Sequence, residues 1–290
     1  MQIGVVYPQT ELPPDPAVVR SYVERVEALG YRHIVIYDHV LGADPDIHRD
    51  WRGPYDLDSP FHEPLVFYGF LAAITSLELV TGIIIAPQRQ TALLAKQAAE
   101  VDLLSGGRFR LGLGIGWNRV EYDALGQDFA TRGAKEEEQI GLLRRLWTER
   151  SVIHEGRFDK VWGAGLAPLP VQQPIPIWLG GQSESMYQRA GRLADGWFPQ
   201  VVPGPLLDEA KTLVATSAAA AGRDPSTIGM EGRVSQGSGG PETLVRHAER
   251  WRSAGATHLS VNTMGAGLSG LDAHLDALTV SAEAMTLRRE

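Results

Sequence analysis

Eight times along this chain a short run of alternating or β-branched apolar residues gives way to a pattern with the period of a helix, and no other feature restricts the fold as much. The strand-like runs are residues 3–7, 33–37, 79–85, 109–115, 176–179, 196–198, 227–234 and 258–261. The helical patterns are 16–29, 65–77, 91–104, 132–149, 183–193, 206–221, 242–254 and 271–285. Eight parallel strands that each feed a helix close into a (β/α)8 TIM barrel, and 290 residues hold that barrel together with insertion loops. The competing architecture, an open doubly wound sheet, closes with fewer strands and splits a chain this long. No linker interrupts the alternation, so 1–290 reads as one α/β barrel domain. Only 151–174, broken by glycines and prolines, departs from it, and a small hairpin is expected there.

The fourth strand carries the most specific pattern. Phe109, Leu111, Leu113 and Ile115 alternate with Arg110, Gly112 and Gly114, and Gly116 continues the glycine side. A strand without side chains on one face either packs against something very close or lets a ligand approach its backbone. Gly106 and Gly107 before it suit the left-handed stop of a helix.

Hydrophobic residues make up 43% and charged residues 21%, enough for a full core. The net charge of −8 is spread without a basic run, so no nucleic-acid partner is expected. The absence of cysteine excludes disulfides, thiolate nucleophiles and cysteine-held metals, and fits a cytoplasmic location. The first ten residues lack a basic region followed by an apolar run and read as a mature strand, not a signal peptide. Residues 64–87 are apolar, but Thr75, Ser76, Glu78 and Thr81 interrupt them where a membrane span needs about 20 apolar residues.

In a barrel of this kind, function gathers at the carboxyl ends of the strands. Those ends are Asp38-His39, 86–89, 115–118, 180–183, 199–202, 236–240 and 262–267. His39 has an aspartate beside it and acts as acid or base near neutral pH, or else is a wall histidine with Asp38 capping the loop. Residues 41–62 form a long aperiodic loop, a candidate lid. Gly180, Gly181, Gln182 and Ser183 lead from strand into helix, which suits either a phosphate at free N–H groups or an ordinary tight turn with Ser183 as N-cap. Glu121 reads as a ligand-positioning acid or, the commoner case, an exposed surface glutamate. Glu136, Glu137 and Glu138 sit near a helix start and Arg144 and Arg145 near its end, as the helix dipole favours. Trp51, Tyr55, Phe61, Trp117 and Trp162 are either pocket walls or packing. No metal is expected: His39, His48 and His62 are scattered, and Asp44, Asp46 and Asp50 miss the calcium-loop pattern.

Two blocks, LLAKQAAEVDLLSGGRFRLGLGIGWNRVEYDALG and PIPIWLGGQSESMYQRAGRLADGWFP, resemble the bacterial-luciferase-like flavin and deazaflavin oxidoreductases, and the likeness extends over nearly the whole chain. Asp38-His39 is similar to the pair in members that use coenzyme F420. The resemblance implies that His39 faces the reactive ring and exchanges a proton with the substrate, while Asp38 fixes coenzyme or imidazole. It implies a non-proline cis peptide at Gly82–Ile83, which with Ile85 backs the ring. It implies that Gly180, Gly181, Gln182 and Ser183 hold the phosphate and that Ile115 and Gly116 run along the ring or tail. The expected function is hydride transfer between C5 of F420 and a small organic substrate, by a homodimer. An FMN-dependent monooxygenase and a barrel that only binds a flavin or other small molecule are the alternatives. Trp117 stands where sugar-phosphate dehydrogenases of this family carry a glutamate, which argues against such a substrate.

Overall fold

The computed structural model describes residues 1–237 and 239–288, so Ser238, within the 236–240 strand end, lies outside the described residues. The chain runs β1 (Gln2–Val6), α1 (Pro16–Ala28), β2 (His33–Ile36), α2 (Pro64–Ala72), β3 (Glu78–Thr81), β4 (Ile84–Ile85), α3 (Thr91–Ser105), β5 (Phe109–Gly114), α4 (Arg119–Ala124), α5 (Arg132–Thr148), β6 (Val152–Glu155), β7 (Lys160–Ala164), β8 (Ile177–Gly181), α6 (Glu184–Leu193), β9 (Gly196–Pro199), α7 (Pro205–Ala220), β10 (Gly229–Ser235), α8 (Gly240–Ser253), β11 (His258–Asn262) and α9 (Gly270–Ala284). Local signals set the ends. Asp15 accepts the Ala17 N–H ahead of Pro16, and Gly106 stops α3 at φ +67°, a conformation that costs a residue with Cβ.

The barrel strands are all parallel and pair in the order β3-β2-β1-β11-β10-β9-β8-β5-β4, and β3 also pairs with β5, which closes the ring. β3 and β4 are two halves of one barrel strand, so the architecture is the expected (β/α)8 barrel. The expected continuous third strand is interrupted where the Gly82–Ile83 peptide is cis, as the resemblance implies. Leu79 faces Phe109 and Ile84 faces Leu113, so five steps along one strand answer four along the other. That extra residue is a β-bulge, which bends the strand and re-aims its side chains. β6 and β7 form the expected antiparallel hairpin, and the short helix α4 is an addition that the period did not reveal.

Two apolar layers hold the structure. The larger lies between strands and helices and includes Ile34, Leu79, Leu111, Leu113, Leu143 and Trp147. Each such buried side chain contributes about 1.5–3 kcal/mol. The smaller lies inside the barrel: Val6, Val35, Val80, Trp178 and Phe198, with Ile83 packed against it. Below it, Arg110 donates to Glu231 at 2.6 Å and Glu78 at 2.9 Å and stacks 4.2 Å over Trp178. The interior is thus charged at the bottom of β5 and stripped of side chains above.

The glycine face of β5 belongs to packing. A Cβ at Gly112 would collide with the Thr81 carbonyl, one at Gly114 would lie 2.6 Å from Ile83 Cδ1, and one at Gly116 2.9 Å from Ile85 Cγ2. Gly180 on β8 makes the same allowance, 2.8 Å from Ile83 Cγ2. The glycines therefore admit the bulged third strand, and the Ile83 side chain is seated between two backbones.

Candidate active site

A cavity of about 570 Å³ opens at the carboxyl ends of the strands, within the range of small-molecule sites. Asp38, His39, Gly82, Ile83, Ile85, Ile115, Gly116, Gly180, Gly181, Gln182 and Ser183 all line it, so the residues expected at the catalytic and coenzyme positions reach one cavity. Ile83 stands on the glycine shelf, and Pro54 and Tyr55 reach in from the 41–62 loop.

His39 stands at this mouth. Its Nδ1 lies 3.2 Å from Glu121 Oε1, and its side chain is 10% exposed. Around it stand Phe61, Tyr55 and Trp117, at ring-centre distances of 4.8, 5.4 and 5.5 Å, with Trp51 tilted against Trp117 at 5.4 Å. Trp162, the fifth aromatic of the expected wall, is not there. It lies on the β6–β7 hairpin, 79% exposed, because that excursion leaves the barrel.

Asp38 does not hold the imidazole. Its Oδ2 accepts the Ile85 N–H at 3.1 Å, and its Oδ1 accepts from Arg89 at 2.9 Å, which ties the end of β2 to the strand beyond the bulge. Burial pushes the Asp38 carboxyl up, and Arg89 and the Ile85 N–H pull it back. The carboxylate that does hold His39 is Glu121, fully buried rather than exposed. Asn118 caps α4 by accepting the Val120 and Glu121 N–H groups, which turns Glu121 inward under the loop. Burial works to raise the Glu121 carboxyl, but the hydrogen bonds from His39, Leu41 and Gln88 outweigh it and hold it below its ordinary value. Nothing local in the sequence announces this, because the partners lie some 80 residues upstream.

The opposite wall holds the start of α6. Ser183 caps it by accepting the Met186 N–H at 3.2 Å, while the Glu184 and Ser185 N–H groups have no intrahelical partner. Arg189 of α6 pairs with Glu136 at 3.1 Å and Glu137 at 3.2 Å. Glu136 therefore serves a tertiary contact one turn inside α5 rather than the helix dipole, and burial pushes its carboxyl up to about 7. Glu138 likewise turns to the hairpin, where it accepts the Arg157, Phe158 and Asp159 N–H groups. Arg233 stands exposed at the rim and donates to two neutral groups, Tyr37 at 2.9 Å and Gln200 at 3.4 Å. Arg189 and Arg233 were not apparent as site cations, since neither lies in a basic run.

The parallel barrel thus carries its cavity at the carboxyl ends of the strands, with the bulged third strand in one wall and His39 at the mouth. Residues 1–258 match the luciferase-like monooxygenase family, and the chain belongs to it. An uncharacterized protein of Mycobacterium tuberculosis, Rv0953c, is 33% identical over 193 residues, covering 64% of this chain and 66% of that one. The FMNH(2)-dependent dimethylsulfone monooxygenase of Pseudomonas putida is 31% identical over 148 residues, 50% of this chain and 40% of that enzyme. The matched stretches thus span less than two thirds of these relatives. Among solved structures, an F420-dependent secondary alcohol dehydrogenase in complex with an F420–acetone adduct aligns over 100% of this chain and 99% of its own, with a TM-score of 0.81 and 17% identity. EDTA monooxygenase from Chelativorans sp. BNC1 aligns over 100% and 95%, with a TM-score of 0.80 and 13% identity. At those identities the likeness is one of fold. Among the described residues no helix is long and apolar enough to cross a membrane.

Proposed function

We propose that this luciferase-like oxidoreductase uses coenzyme F420 to pass a hydride to or from a small organic substrate, with His39 exchanging the accompanying proton. The observation that carries this reading is His39 itself: its Nδ1 is bonded to Glu121, while its Nε2 has no partner among the described residues and its ring lines the cavity that Ile83 enters.

The cavity fits a flavin-type group by its own shape. Gly114 and Gly180 admit Ile83 as an apolar backing, and the α6 start offers N–H groups without intrahelical partners to a phosphate. Ile83, Ile85, Ile115, Gly116, Gly180, Gly181, Gln182 and Ser183 would hold the coenzyme, and Arg233 would meet a negative charge at the rim. When bound, the coenzyme supplies the two-electron chemistry that no side chain here provides. The protein's own contribution is placement. His39 holds or takes a proton at Nε2 while Tyr55 and Pro54 of the loop cover the mouth and exclude water.

An FMN-dependent monooxygenase is the second reading, favoured by the Pseudomonas relative. Fluorescence titration of the purified protein with oxidised F420 and, separately, with FMN tests both. Micromolar F420 affinity with negligible FMN binding is expected. Preference for FMN, with oxygen uptake on addition of a reductant, would overturn the F420 reading.

A further inference from the structure

We infer that Glu121 is a positioning residue: it fixes His39 as the Nδ1–H tautomer, so that Nε2 is the one basic nitrogen presented to the cavity. This rests on the reading of His39 as the proton-exchanging group.

Four donors converge on the Glu121 carboxylate. Oε1 accepts from His39 Nδ1 at 3.2 Å, from the Val40 N–H at 2.8 Å and from the Leu41 N–H at 3.2 Å, and Oε2 accepts from Gln88 at 3.3 Å. A backbone N–H only donates and an ionised carboxylate only accepts, so the two amides and the low-lying carboxyl leave His39 Nδ1 one role, that of donor. In the neutral imidazole a proton on Nδ1 leaves Nε2 without one. Neither nitrogen is then ambiguous, which is unusual for a histidine whose two tautomers are close in energy in water.

The same carboxylate joins three strand ends. His39, Val40 and Leu41 follow β2, Gln88 follows β4, and Glu121 itself stands in α4 after β5. Asn118 adds a second tie by donating to the Leu41 carbonyl at 3.2 Å. The root of the 41–62 loop and the imidazole are therefore held by one helix, and a shift of α4 would move both together.

The network also indicates which substitution it tolerates. Gln88 Oε1 is buried without a hydrogen-bond partner. In Glu121→Gln the new amide oxygen keeps the three donors on its side, and its NH2 meets Gln88 once that carboxamide turns to present its oxygen. Glu121→Leu offers nothing to any of them.

The test begins on coenzyme-free protein labelled with ¹⁵N-histidine, with the His39 signals assigned by their loss in His39→Asn. Long-range proton–nitrogen correlation at neutral pH distinguishes the tautomers directly. We expect Nδ1–H in the native protein and in Glu121→Gln, and a mixture or Nε2–H in Glu121→Leu. With the coenzyme that binds, kcat of Glu121→Leu is expected to fall ~10²-fold while coenzyme affinity stays within about threefold, and Glu121→Leu added to His39→Ala should cost nothing more. An Nε2–H tautomer in the native protein overturns the inference, as does an unchanged tautomer in Glu121→Leu or additive losses in the double variant. Should Glu121→Leu fail to fold, the native tautomer and near-native turnover of Glu121→Gln decide it; Nε2–H in the former or a ~10²-fold loss in the latter with Nδ1–H retained speaks against a purely positioning role. A native Nδ1–H tautomer in a protein that turns over no substrate with either coenzyme would sink the proposed function and leave this inference standing.

Discussion

Two histidine–glutamate pairs flank the same strand, and they do opposite things. His33 opens β2 with Nε2 2.9 Å from Glu231, and His39, past the end of β2, has Nδ1 3.2 Å from Glu121. Glu231 also takes Arg110 and the Ser260 hydroxyl, and both side chains of the His33 pair are essentially unexposed. The second nitrogen of His33 is buried without a partner, whereas that of His39 belongs to a ring that lines a cavity. Identical residue types thus make a buried, ion-paired network at the start of β2 and a pair at the cavity mouth past its end. What separates them is whether the second imidazole nitrogen is sealed in the interior or belongs to a ring that faces the cavity.

Breaking the closed network should cost most. Glu231→Ala leaves Arg110, 3% exposed, with Glu78 as its remaining ion-pair partner, and stability should drop by about 3–5 kcal/mol in urea denaturation. A loss under 1 kcal/mol would show that the interior pair is not structural. At the open end the order reverses. His39→Gln should lower turnover ~10²-fold or more with coenzyme affinity held, while stability changes by less than about 1.5 kcal/mol. Native turnover in that variant would erase the distinction.

Acid–base titration gives the smallest and sharpest contrast. Burial works to raise Glu231, but Arg110 and His33 hold it well below its ordinary value of 4.5, so its contribution is present above that pH and fades as the pH falls further. Glu136 is pushed up to about 7 by burial, so its protonated folded state contributes stability below pH 4.5 that is lost as the pH rises to about 7. Glu136→Gln should remove a decline of about 3 kcal/mol across that window in a series of urea midpoints. An unchanged pH profile would mean that Arg189 keeps Glu136 ionised throughout.

Much of the barrel was legible because its signals are local. Two-residue and helical periods, Gly106 as a stop and Ser183 as a cap each depend on neighbours in sequence. The glycine face of β5 was legible as a close approach but not as to what approaches, because the third strand's extra residue exists only once the two strands are paired. The site divides the same way. The residues expected at strand ends converge because the barrel brings those ends together, whereas Trp162, out on the hairpin, does not join them. Glu121, Arg89, Arg189 and Arg233 were missed or misread, because a charged side chain looks solvated until its distant partner is known.

The seat of Ile83 between Gly114 and Gly180 has a consequence for redesign. Both neighbours have already given up their side chains, so neither can retreat to make room. Any atom added at position 83 must rise into the cavity, and any atom removed must deepen it. One side chain thus acts as a depth gauge for whatever lies above it. Its size offers a way to tune the fit of a ring system from beneath, without touching the groups that meet its edges.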